Sequence, residues 1–148
     1  MRCRTGITNA QYLLRGFAVW GIIILAESIH GTVREIWVKP LVGDFRARQI
    51  AFFTGMALIL LIAWLFVRWL CAESYSQLWQ IGCLWMLLTL AFEFTLGLFV
   101  LGYSWERMWE DYNLERGGLM GLGLLWLLCA PILAARLRSQ ALLPQSTV

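Results

Sequence analysis

Charged residues cut this chain into four long apolar runs. Residues 49–67 and 117–135 contain no charge, 16–33 is interrupted only by Glu27, and 74–105 only by Glu93. A helix needs roughly 20 residues to cross a hydrocarbon core about 30 Å thick, so each run is long enough to span. No barrel-type alternation of apolar and polar residues is present, and lipid offers the backbone no partner outside a helix or a closed barrel. The pattern predicts one all-α domain over residues 1–148, an integral membrane four-helix transmembrane bundle. Its spans fall near 13–33, 49–69, 78–102 and 117–136, and its loops at 34–48, 70–77 and 103–116.

Composition agrees with that reading. Of 148 residues, 60% are apolar and 14% charged, against about 25% charged in an ordinary soluble domain. Arg2, Arg4 and Arg15 before the first run imitate a signal peptide, but no small-residue cleavage pattern follows, so an uncleaved first span is expected. The four cysteines are scattered without a C-x-x-C, which disfavours a disulfide framework or a zinc site and leaves them as small apolar fillers. The net charge of +3 is spread out, with no basic stripe interleaved with aromatics, and implies no nucleic acid partner.

Let face A hold both termini and the middle loop, and face B the first and third loops. Each face carries six Lys or Arg near span ends, but face B also carries six acidic residues and face A only Glu73. The excess positive charge places face A, with both termini, in the cytoplasm. Tyr and Trp cluster near both sets of span ends, as amphipathic rings do at headgroup level, while Trp20, Trp64, Trp85 and Trp126 lie deeper, where they pack helices.

Polar residues of all four runs gather toward face B. In "AESIHGTVREIW", residues 26 to 37, Glu27, the single histidine His30 and Arg34 fall at offsets of three and seven, on one stripe of a helix. Glu93 lies in the half of the third span nearer the same face, Arg48 opens the second span, and Arg116 precedes the fourth. An intramembrane carboxylate is costly and turns toward protein or water, so Glu27 and Glu93 are expected to point inward, paired with Arg34, Arg48 or Arg116 or else protonated. These six residues form the predicted polar cluster. In "VGDFRARQ", Arg46 and Arg48 are candidates for an anion or lipid headgroup contact beside Arg34; the plainer reading is a helix start capped by Asp44. Gly117 and Gly121, in G-x-x-x-G register, predict close helix packing, and Pro131 a kink.

Chemistry is limited by these residues. Glu27-x-x-His30 has the spacing of half a di-iron ligand set, but one histidine leaves such a site incomplete and excludes bis-histidine haem within one chain. No G-x-S-x-G elbow and no phosphate-cradling loop occurs. Two functions remain. A non-enzymatic accessory or structural membrane protein, whose cluster fixes the bundle and holds a lipid, another membrane protein or a second copy, is the favoured one. A small proton-coupled transporter or channel using Glu27, His30 and Glu93 is the alternative, because histidine changes charge near neutral pH and membrane carboxylates serve proton relays. No cofactor is expected.

"ESIHGTVRE", followed by "GDFRARQ" and by "DYNLERGG" before the last span, resembles a family of small bacterial four-span inner-membrane proteins with no assigned activity. The resemblance covers most of residues 20 to 136 and implies a bacterial inner membrane. Four-span multidrug exporters share the span count and a first-span Glu, but Glu93 and the long charged loops depart from them.

Overall fold

A computed structural model describes residues 9–72, 74–110, 112–113 and 118–140. The chain is an all-α four-helix bundle: α1 (Asn9–Val33), α2 (Lys39–Val42), α3 (Asp44–Leu70), α4 (Tyr75–Thr95), α5 (Trp105–Glu110) and α6 (Met120–Gln140). Four stretches are long and apolar enough to cross a membrane, namely Gln11–Val42, Asp44–Leu70, Tyr75–Val100 and Met120–Ser139. The protein is therefore a multi-pass membrane protein.

The first helix runs nine residues further than the apolar pattern implies. A π-helical turn over Arg34–Val38 joins α1 to α2, and the Lys39 amide donates to the Arg34 carbonyl five residues back. That wide turn sits just before Pro40, which has no amide proton and whose ring would crowd the carbonyl four residues earlier. Gly43, at φ 82°, then breaks the helix and α3 starts at Asp44. Positive φ suits glycine because it has no Cβ. Gly43 thus occupies the cap position that the sequence assigns to Asp44, and the Asp44 side chain is used elsewhere. Beyond face B, Glu106 in the first turn of α5 accepts from its own backbone amide and from Ser104, which hold its carboxyl below the usual range.

In cross-section the order is α1, α3, α6, α4: α6 packs on α3 and α4, and α1 on the same two. The core includes Val19 and Ile23 of α1, Ile62 and Ala63 of α3, Ile81 and Trp85 of α4, and Ala130 and Ala134 of α6. Lipid tails are as apolar as these side chains, so close packing and hydrogen bonds between helices hold the bundle. The deep tryptophans supply such bonds. Trp85 donates to the Gly16 carbonyl at 2.8 Å, Trp20 to Thr89 Oγ1 at 3.0 Å, and Trp126 to the Met56 carbonyl at 2.9 Å. Tyr12 donates to Gln80 near the face A end.

The glycines divide differently from the sequence expectation. At Gly82 of α4 an added Cβ would meet the Leu128 carbonyl oxygen of α6 at 2.2 Å, so this pair of backbones is the tight contact. A Cβ at Gly121 would meet nothing within 4 Å, and Gly117 lies outside the described residues. Gly121 therefore makes no close helix contact. Pro131 is fully buried inside α6. Cys83 and Cys129 are free thiols, but Cys71, in the turn after α3, is disulfide-bonded, which corrects the reading of every cysteine as a filler.

Candidate functional site

The predicted cluster separates into an inner and an outer group. Outside, Arg34 pairs with Glu35 at 3.2 Å and Arg48 with Asp44 at 2.7 Å, while Lys39 bridges Glu35 and Asp44. These bonds tie the π-helical turn and α2 to the start of α3 across Gly43. All five side chains are substantially exposed, so the network fixes a local corner and adds little to stability. Arg46 is exposed beside it. Neither Arg34 nor Arg48 reaches Glu27, because each has a carboxylate closer along the chain. Arg116 lies outside the described residues.

Inside, Glu27 Oε2 lies 3.4 Å from His30 Nδ1 on the same face of α1, and His30 Nε2 is 2.8 Å from Thr54 Oγ1 of α3. Thr54 Oγ1 gives its one hydrogen to the Ile50 carbonyl at 2.8 Å, so the imidazole donates Nε2–H to the hydroxyl oxygen. Carboxylate, imidazole and hydroxyl thus form a chain across two helices. Gly55 makes room for it: a Cβ there would stand 3.0 Å from Glu27 Oε2. The other carboxylate oxygen, Glu27 Oε1, is buried and meets no hydrogen-bond donor among the described residues.

A cavity of about 170 Å³ lies beside this chain, walled by all four long helices. Glu27 and Ile23 come from α1, Gly55 and Met56 from α3, Thr89 and Glu93 from α4, and Gly123 and Leu127 from α6. The walls are otherwise apolar. Drug-sized ligands occupy pockets of roughly 300 Å³ or more, whereas a single water needs only about 10–15 Å³. The cavity therefore suits a few waters or one small polar group better than a large substrate. Glu27 and Glu93 share it, as their inward orientation predicts.

Thr54 and Gly55 are the site residues that the sequence reading missed. The signal was there, since "FFTGMA" contains the one hydroxyl within the charge-free second run, next to a glycine. Among the described residues no group of three or more His, Cys, Asp or Glu is placed to hold a metal ion.

The chain matches no protein family, no curated protein and no solved structure.

Proposed function

We propose that this is a non-enzymatic protein of a bacterial inner membrane that binds and moves protons at the Glu27 cavity, as a small proton-coupled carrier or channel. The observation that carries the reading is the Glu27 carboxylate. One oxygen faces His30 and the other is buried with no donor among the described residues, beside a space sized for water. Buried polar groups in native proteins are nearly always satisfied, and an exception points to a ligand, a water or a functional proton. His30 and Thr54 continue the path toward face B, and Glu93 is the titratable group across the cavity. Met120, Gly123, Leu124 and Leu127 of α6 face it without charge. Reconstituted in vesicles with a trapped pH dye, the protein should dissipate an imposed pH gradient faster than protein-free vesicles do. Equal rates would remove this reading.

The second reading is the accessory or structural one, in which the bundle holds a lipid or a partner. The cross-helix bonds of Trp20, Trp85 and Trp126 favour it, because they make a rigid frame that needs no catalytic group.

For orientation we place face A, with both termini, on the periplasmic side, opposite to the side that the charge difference favours. Basic residues tie, acidic ones count little in topology, and a disulfide such as that of Cys71 persists in an oxidising compartment. A C-terminal alkaline phosphatase fusion should then be active and a C-terminal green fluorescent protein fusion dark; the opposite pattern puts the termini in the cytoplasm.

A further inference from the structure

At the face A end the arginines are not equivalent. Arg15 donates to the Trp69 carbonyl at 2.9 Å and stacks on the Trp69 ring, so it is held at the C-terminal end of α3. Arg138 likewise donates to the Trp64 and Leu65 carbonyls and lies 4.8 Å from the Trp64 ring centre. Arg15 answers the partial negative charge and an open carbonyl at the end of α3, and Arg138 bonds carbonyls further inside the same helix. Arg136 does neither. Its guanidinium sits 5.8 Å from the Tyr75 ring centre, and among the described residues no carboxylate pairs with it.

Arg136 borders an open groove of about 370 Å³ between α4 and α6, with Tyr75 and Trp79 on one wall and Cys129, Ile132 and Leu133 on the other. Tyr75 begins α4 and Arg136 belongs to the last turns of α6, so the groove's upper rim is at headgroup level and its apolar floor runs down toward the hydrocarbon. Tyr and Trp rings are suited to that boundary. A guanidinium offers five donors in a planar fork that matches a phosphate, and its place over the Tyr75 ring holds it at the rim of the groove.

We propose that this groove is a binding site for an anionic phospholipid, with the phosphate on Arg136 and an acyl chain along Ile132 and Leu133. Three observations select this occupant: a cation that no carboxylate pairs with among the described residues, an aromatic rim at headgroup depth, and an apolar floor between α4 and α6. Of the face B arginines expected to serve this purpose, Arg34 and Arg48 already have carboxylates. The site is independent of the Glu27 cavity.

The test is native mass spectrometry of the purified protein given equal amounts of phosphatidylglycerol and phosphatidylcholine with matched chains. The wild type should retain phosphatidylglycerol preferentially. Arg136→Gln should lower that retention about fivefold, the ratio that one basic residue at a membrane surface is worth, and leave phosphatidylcholine unchanged. Arg136→Lys should lie between, because it keeps the charge and loses the fork. Arg46→Gln, which removes a cation from the opposite face, should have no effect. Equal retention of the two lipids by the wild type, or loss of the preference in Arg46→Gln and not in Arg136→Gln, would overturn the proposal. Displacement of phosphatidylglycerol by millimolar inorganic phosphate would also overturn it, by showing a site for the free anion.

Discussion

Gly82→Ala should be the most damaging small substitution in this protein. The new methyl would lie 2.2 Å from the Leu128 carbonyl oxygen, 3.0 Å from its carbon and 3.2 Å from the Leu128 Cα, all of them backbone atoms of α6. A side chain could turn away from such a clash, but a helix backbone has to move as a body. α4 and α6 must separate there, which loosens the core that the two helices share. Overpacking of this kind costs roughly 1–3 kcal/mol, and backbone contact places Gly82→Ala near the top of that range. Unfolding in detergent, followed by circular dichroism, would measure it. A variant as stable as the wild type would mean that α4 and α6 are not in close contact in the membrane. Gly121→Ala is the matched control, since a Cβ there meets nothing.

Glu27→Gln should abolish the dissipation of a pH gradient while leaving the unfolding midpoint unchanged or higher. Glutamine fills the same volume over Gly55 and still offers His30 an oxygen, but it cannot take up or release a proton near neutral pH. An acidic residue within a membrane helix is penalised by roughly 2.5–3.5 kcal/mol at the centre, and removing that charge offsets the weaker bond to His30. A purely structural role gives the opposite signs. If Glu27 were there to knit α1 to α3 through His30 and Thr54, weakening that half-buried pair would lower the unfolding midpoint, and any flux would be unaffected. The two measurements together distinguish the readings more sharply than either does alone.

Helix number and approximate limits are legible in the sequence because lipid permits so few alternatives: a charge-free run of 19 residues has little to be except a span. Residues 34–42 are harder. They are polar and contain Pro40, which signals a loop, and a π-helical turn that absorbs a proline leaves no mark in hydrophobic periodicity. The Glu27–His30 contact follows from a three-residue offset on one helix. The fate of the arginines was also legible, in the Glu35–Lys39 and Asp44–Arg48 pairs at four-residue spacing, which is the spacing of neighbours on a helix face. Reading Arg34 and Arg48 as partners for Glu27 overlooked these nearer carboxylates. Thr54 over His30 could not be placed without the packing of α3 on α1, and the groove at Arg136 depends on two helices far apart in the chain.

The cross-sectional order α1, α3, α6, α4 also bears on how the molecule is assembled. Helices α3 and α4 follow one another in the chain across a short turn, yet the main neighbours of each are α1 and α6. Spans that enter the bilayer in chain order associate there afterwards. The second and third spans consequently wait, held only by the first, until the last one emerges and slides between them. Synthesis must reach the final helix before the cavity at Glu27 has its fourth wall, so an interrupted chain leaves that carboxylate open to lipid.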